Sequence, residues 1–270
     1  MQRQQGIGHS TNLVGRPTEY LASCAFNDNP APLYIWGVRE MNRSLFEMLE
    51  QAQDLAEAGE AFSCYMMAMF GIDPEQREER AASGRRRFRS SFLRLLKGWG
   101  FDSNGPEGAV LKGWVESRFG ICPTYHKEII DRVSSRAWAT YVEEKMSSRF
   151  HNNAIYVQLD LLFEFCQWAI ARFAFSNQTH LTLYRGINSF DEHKIVERIA
   201  KRTVVVRLNN LTSFSSDRSI ADCFGDTILT AQVPVAKIVF FNGLLSAHPL
   251  KGEGEYLAVG GDYRVTADYH

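Results

Sequence analysis

Apolar positions along this chain change their period once, near residue 177. Before that point they recur at spacings of three and four. Met41, Leu45, Met48, Leu49, Ala52 and Leu55 form such a series from Val38 onward and predict an amphipathic helix. Residues 61–70 (AFSCYMMAMF) are apolar all round and predict a turn or two of buried helix, stopped by Gly71 and Pro74. Phe88, Phe92, Leu95 and Leu96 make an apolar stripe on a charged helix across 75–97, ended by Gly98 and Gly100. The stretch 100–126 is punctuated by Gly and Pro, and helical spacing returns over 126–148. Residues 154–173 (AIYVQLDLLFEFCQWAIARF) form the most apolar segment. There Asp160, Glu164 and Gln167, at i, i+4 and i+7, leave one polar stripe on an otherwise buried cylinder. Residues 1–36, ending in Asn27-Asp28-Asn29-Pro30-Ala31-Pro32, read as loop.

After Asn177 alternation takes over. HLTLYRGI (180–187), TVVVRL (203–208), TILTAQVPV (227–235), AKIVFF (236–241), EYLAVG (255–260) and DYRVTA (262–267) are rich in β-branched and aromatic residues and read as short strands. A helix is expected near 190–201 and a short one near 217–224. Helices followed by a run of strands is an α+β order. The expected architecture is a mainly helical region over 1–175, for support and partner recognition, packed on a C-terminal sheet over 176–270. The two form separate domains or one compact unit.

Composition narrows this only by exclusion. At 270 residues, with 45% hydrophobic and 23% charged positions, the chain can bury a sizeable core. Thirty Lys+Arg against 31 Asp+Glu leave no global field for nucleic acid or anionic membrane. No apolar run approaches the roughly 18 residues of a membrane span, and Met1 to Gly15 carry no apolar stretch of the kind a signal peptide needs. The five cysteines are scattered. Cys166 and Cys223 sit in apolar patterns, which predicts buried free thiols in a reducing, cytoplasmic setting. The histidines show no metal-binding spacing, so no metal is expected. No GxGxxG opens a helix after a strand, which argues against a Rossmann-type site. Arg85-Arg86-Arg87-Phe88-Arg89, with Arg94 and Lys97, is the densest charge cluster: a solvated helix face, or a docking surface for an acidic partner.

The chemistry concentrates in three short motifs at strand edges: Tyr184-Arg185-Gly186, Ser213-Phe214-Ser215 and Glu253-Gly254-Glu255. Each alone suits an ordinary strand end or solvated loop. As an ordered set they suit cleavage of the nicotinamide–ribose bond of NAD, which passes through an oxocarbenium-like centre. A guanidinium binds phosphate bidentately and is always charged, so Arg185 anchors phosphate and ribose. Gly186 beside it lets backbone approach a ligand. Ser213 and Ser215 are two apart, so on a strand both hydroxyls face one way, toward a carboxylate or the ribose. Glu253 and Glu255 likewise share a face, and like charges so close need donors or cations between them. Glu255 can accept from a ribose hydroxyl and stabilise the oxocarbenium; Glu253 can hold an incoming guanidinium and help remove its proton.

The order Arg185, Thr212-Ser213-Phe214-Ser215, Glu253-Gly254-Glu255-Tyr256-Leu257 resembles the arginine-specific mono-ADP-ribosyltransferases of the R-S-E group. Ile220-Ala221-Asp222-Cys223-Phe224 is similar to that group's short helix, which implies that Phe224 stacks on nicotinamide, and Asp262-Tyr263-Arg264-Val265 fits the closing strand. Gly8-His9-Ser10-Thr11-Asn12-Leu13-Val14-Gly15, Ala25-Phe26-Asn27 and Phe119-Gly120-Ile121-Cys122-Pro123-Thr124-Tyr125-His126 resemble the bacterial dinitrogenase reductase ADP-ribosyltransferases. The resemblance implies a split sheet with NAD, as co-substrate, across its cleft. It also implies an acceptor arginine on the nitrogenase iron protein, preferably ADP-bound, and activation by a PII signalling protein. Phe214 stands where that group commonly has threonine, and the flanking serines keep the hydroxyls. An NAD glycohydrolase and a non-catalytic nucleotide-sensing module are the competing readings.

Overall fold

The computed structural model describes residues 8–72, 90–147, 154–188, 193–245 and 254–269. Its N-terminal half is helical: α1 (Thr18–Leu21), α2 (Cys24–Asp28), α3 (Val38–Met41), α4 (Arg43–Leu49), α5 (Leu55–Phe70), α6 (Phe92–Phe101) and α7 (Pro106–Phe119). A small hairpin, β1 (Tyr125–His126) and β2 (Glu128–Ile129), precedes α8 (Arg136–Lys145) and α9 (Ile155–Ala169). The C-terminal half holds β3 (His180–Ile187), β4 (Lys194–Arg198), β5 (Thr203–Ser215), α10 (Arg218–Asp222), β6 (Thr227–Pro234), β7 (Ile238–Phe241) and β8 (Glu255–Tyr269). Helices first and strands after is the α+β order expected.

Several helices begin on polar caps. Asp54 accepts from Glu57 N–H while the Glu57 carboxylate takes Gln53 N–H, a reciprocal pair that starts α5. Ser91 and Ser135 accept from the third residue on and start α6 and α8.

Several local expectations need correction. The first 36 residues are not all loop, since α1 and α2 lie within them. The Gly- and Pro-punctuated stretch after 100 contains α7: Pro106 sits at the first helical position, where its missing N–H costs nothing. Gly98 and Gly100 do not end α6, which runs to Phe101. The helix expected near 190–201 is, where described, the strand β4. Ile195 and Val196 suit a ladder, β5 supplies the partner, and Lys194, Glu197 and Arg198 keep this sheet edge charged. The strands expected over 255–260 and 262–267 are one strand, β8. It passes through Gly260, where a Cβ would lie 1.7 Å from the Asn209 carbonyl oxygen, and through Gly261 at φ +114°. This bulged crossing coincides with the register shift between Leu208 and Leu211 on β5.

α5 is also less buried than AFSCYMMAMF suggests, with Phe62 and Met66 inward and Met67 and Met69 exposed. Helix over 126–148 is confined to α8. Cys166 is buried, but Cys223 is exposed.

The six-stranded sheet runs in the order β4-β5-β3-β6-β8-β7, antiparallel throughout, with an additional β5–β8 pairing. β8 has β5 along one side; along the other it pairs first with β7 and then with β6. β6 in turn pairs with β3 over its whole length. β3 and β5 meet at one register pair, Tyr184 opposite Ser215. Beyond that pair the two strands part, and the gap between them positions the site.

α9 organises the helical side. It packs on β7, α3, α5 and α6, and its polar stripe is fully engaged. Asp160 takes Arg118 Nε and Nη2 at 2.7 and 2.8 Å and the Trp114 indole at 2.7 Å. Glu164 accepts Ile35 N–H at 2.6 Å and Arg39 Nε at 2.5 Å. Gln167 donates to the carbonyls of Ile238 and Val235. Buried apolar residues from both halves form one continuous core. The early segments are stitched to the sheet as well. Gly8 bridges Ile121, Asn27 donates to the Asp262 carbonyl, and Asn210 of β5 donates to the carbonyls of Lys112 and Ile121. Among the described residues no helix is long and apolar enough to cross a membrane.

Candidate active site

A cavity of about 430 Å³ opens where β3 and β5 separate. Tyr184, Arg185 and Gly186 line it from the end of β3, and Ser213 and Ser215 from the end of β5. Glu255 enters from the first position of β8, and Phe224 from the turn after α10. Seven residues singled out in the sequence therefore share one concave surface. The eighth, Glu253, lies outside the described residues, as do Arg85 to Arg89.

Their geometry is specific. Arg185 Nη1 donates to the Ser213 backbone carbonyl at 2.9 Å, which ties β3 to β5 just past the point where their ladder ends. The Ser213 hydroxyl donates to Glu255 Oε1 at 2.6 Å, the length of a charge-assisted bond. Glu255 is 6% exposed, and its backbone carbonyl accepts from Asn242 N–H, so strand and side chain are both held. Gly254 just before it, at φ +54°, accepts from Ser216 N–H, so the chain turns into β8 beside the end of β5. Ser215 Oγ accepts from Asp217 N–H and helps turn the chain from β5 into α10. Phe224 is 57% exposed and lines the cleft.

Gly186 has a second neighbour besides the cleft. A Cβ there would lie 2.0 Å from the Ala221 carbonyl oxygen. The backbone that approaches this glycine is that of α10, so the glycine seats the short helix carrying Phe224.

Among the cleft residues that sequence reasoning missed, Trp99 and His193 carry chemistry. Trp99, between the two glycines expected to end a helix, lines the cavity from the last turn of α6, and its indole donates to Ser213 Oγ at 2.7 Å. A tryptophan between two glycines was the available signal. His193 fell in a segment expected to be helical. It is buried in the cleft wall, and burial, then the charge of Arg185, push its imidazole down to about 4, so the ring is neutral. Beside Arg185 it adds hydrogen-bonding capacity without a second positive charge.

Another cluster lies away from the cleft. His9, Glu116 and Cys122, distant in sequence, come within 4.8 Å of one another through their ligand atoms. Glu116 already has a cation there, Lys145 Nζ at 2.7 Å, together with Tyr141 Oη at 2.5 Å and His9 Nε2 at 3.0 Å. Burial pulls its carboxyl upward, but these hydrogen bonds win and hold it below its usual value. The group joins the N-terminal segment to α7 and α8.

The cavity has the size of a small-molecule or cofactor site. Its volume lies within the roughly 300–1,000 Å³ of cofactor and ligand sites. It carries a guanidinium on β3, a carboxylate held for hydrogen bonding on β8, and an exposed aromatic ring after α10. Such a set can grip a diphosphate, a ribose and a flat heterocycle together.

Comparison with known proteins agrees in kind. The family model described as "Dinitrogenase reductase ADP-ribosyltransferase (DRAT)" matches residues 11–267. A curated protein of Rhodospirillum rubrum, "NAD(+)--dinitrogen-reductase ADP-D-ribosyltransferase", is 67% identical over 266 residues, covering 98% of this chain and 96% of its own length. No solved structure matches the chain.

Proposed function

This chain belongs to the dinitrogenase reductase ADP-ribosyltransferase family, and on that premise we propose that it transfers ADP-ribose from NAD to an arginine of dinitrogenase reductase, the nitrogenase iron protein, and so switches nitrogen fixation off. The observation that carries the mechanism is the Ser213–Glu255 hydrogen bond, set in the same cleft as Arg185.

Arg185 anchors the diphosphate and the adjoining ribose. Its guanidinium is charged at every accessible pH and offers a planar fork of donors. Tyr184 and Gly186 shape the wall around it. Phe224 stacks on the nicotinamide ring. Ser213 orders Glu255, which accepts from a ribose hydroxyl and faces the anomeric carbon. As the carbon–nitrogen bond breaks, its electron pair leaves with nicotinamide, and the negative Glu255 stabilises the positive charge left on the sugar. Glu253 holds the acceptor guanidinium and takes its proton as nitrogen bonds to that carbon. Ser215 adds a polar wall beside Glu255, which it faces in the β5–β8 ladder.

The remaining attributes rest on family resemblance. The ADP-bound iron protein is the preferred acceptor, a PII signalling protein is the activator, and the setting is the cytoplasm. Residues 1–175 act as the supporting and partner-recognising region and 176–270 as the catalytic sheet.

Incubation with labelled NAD and ADP-bound iron protein, followed by mass spectrometry of the acceptor, tests this reading. ADP-ribose on one arginine is the expected result. Nicotinamide release with an unlabelled acceptor would replace it with a glycohydrolase. No NAD turnover in any combination would overturn the enzymatic reading.

A further inference from the structure

Glu255 occupies a weak place for a catalytic carboxylate. It is the first residue of β8 and follows Gly254, whose φ of +54° marks a turn. The ladder and the Asn242 N–H fix the backbone there, but they do not set the direction of the side chain, which calls for a side-chain anchor. The Ser213 hydroxyl, at 2.6 Å from Oε1, is such an anchor. A serine hydroxyl is itself a free rotor. It has one hydrogen and two lone pairs, and nothing in its covalent structure aims the hydrogen at Glu255.

The Trp99 indole supplies the missing constraint. Nε1–H can only donate, so its 2.7 Å contact with Ser213 Oγ must occupy a hydroxyl lone pair. With that lone pair taken, two directions remain for the hydroxyl hydrogen, and the one toward Glu255 Oε1 meets a carboxylate acceptor. The three groups thus form a polarised chain, indole to hydroxyl to carboxylate, in which each bond strengthens the next.

The indole is in turn well fixed. Trp99 is 5% exposed. Lys112 Nζ lies over its ring at 5.9 Å and is held by Asn104 Oδ1 at 2.9 Å and the Tyr125 carbonyl at 3.1 Å. At the other end of α6, Phe92 N–H donates to the buried Gln158 side chain on α9. A residue of the helical half therefore sets the hydrogen bonding of two residues of the sheet.

We propose that Trp99 is a positioning residue for the reaction, fixing the Ser213 hydroxyl so that Glu255 is held in its working orientation. This rests on the catalytic role given above to Glu255, but the hydrogen-bond chain itself can be tested without activity.

The experiment has two arms on the full-length protein. In the first, the indole ¹⁵N–¹H signal of Trp99 is assigned by its disappearance in Trp99→Phe. Ser213→Ala should shift that signal and raise its exchange rate at least about tenfold, and Glu255→Gln should shift it through the intervening hydroxyl. An indole signal that ignores Ser213→Ala overturns the proposal whether or not the protein turns over NAD. In the second arm, NAD cleavage is measured for Trp99→Phe, Ser213→Ala and the double variant. Partners that orient metal ligands contribute about 10–100-fold to activity, and a group that orients a carboxylate is expected to act on the same scale. Trp99→Phe, which keeps an aromatic ring in the cleft, should lower kcat by about tenfold and leave the KM for NAD within about twofold. Added to Ser213→Ala it should cost nothing more, because the chain is already broken. A wild-type kcat in Trp99→Phe, or losses that multiply in the double variant, would show that the indole only packs. If the wild-type protein cleaves no NAD, the functional reading falls and the first arm alone decides the proposal.

Discussion

Ser213 binds Glu255 across a diagonal of the sheet. In the β5–β8 ladder the residue facing Glu255 is Ser215, whereas Ser213 faces Leu257 two positions along. Yet it is the Ser213 hydroxyl that donates to Glu255. Diagonal neighbours on one face are close enough for such a contact when the acceptor side chain is long, and Ser215 meanwhile accepts from Asp217 N–H at the turn into α10. The two serines are therefore not equivalent. Ser213→Ala is expected to lower kcat for NAD cleavage by about 10–100-fold. Ser215→Ala should leave kcat within a few-fold. Equal losses in steady-state kinetics would contradict the division.

The two glutamates should separate in the same assay. Glu255→Gln is expected to lose both arginine transfer and NAD hydrolysis by at least about 100-fold, since it removes the charge opposing the oxocarbenium. Glu253→Gln should lose transfer and retain hydrolysis. Parallel loss of both activities in Glu253→Gln would remove the acceptor role from that residue.

Gly186 offers a test of how the cleft is held open. A methyl group there would sit 2.0 Å from the Ala221 carbonyl, and that oxygen belongs to backbone and cannot rotate away. Gly186→Ala must displace α10 and carry Phe224 with it. Stability should fall by about 1–3 kcal/mol and the KM for NAD should rise. A melt and a saturation curve unchanged from wild type would show that α10 moves freely.

Lys237 is fully buried, with its ammonium 5.0–5.3 Å from the Tyr263 and Phe26 rings and 3.3 Å from the Gly260 carbonyl. Burial pushes its pKa down from 10.5 to about 7, against weaker opposing pulls from Cys24 and Asp262. Between those two values the unfolded chain holds a proton that the folded chain has released. Folding is therefore favoured by raising the pH, and the Lys237 contribution to stability should increase from pH 7 to 10.5. Lys237→Met should abolish that rise and stabilise the protein near pH 7 by about 1–3 kcal/mol. Denaturant unfolding of both proteins across the window measures it. A parallel pH dependence in the two would refute it.

Asp160 carries two partners from α7, the Arg118 guanidinium and the Trp114 indole. Asp160→Ala strands both, with Trp114 fully buried and Arg118 nearly so. Breaking such a pair from one side costs about 3–5 kcal/mol. Equilibrium unfolding should show a loss of that order, and a change below about 1 kcal/mol would mean the ion pair is solvated.

The sequence alone carried the α+β order, the long buried α9 with its polar stripe, and most strand positions. These depend on local periodicity, which a sequence displays directly. It also carried seven of the residues that line the cleft, six through short motifs at strand edges and Phe224 through the family resemblance. It could not carry what depends on a partner from elsewhere in the chain. Lys194–Arg198 is a strand because β5 offers it a ladder. Gly186 is glycine because the Ala221 carbonyl lies against it. Trp99 lines the cleft because the last turn of α6 brings its indole to the hydroxyl of Ser213, 114 residues later. Even the choice of Ser213 over Ser215 as the anchor of Glu255 was set by strand register and the turn into α10, both of which are properties of the assembled fold.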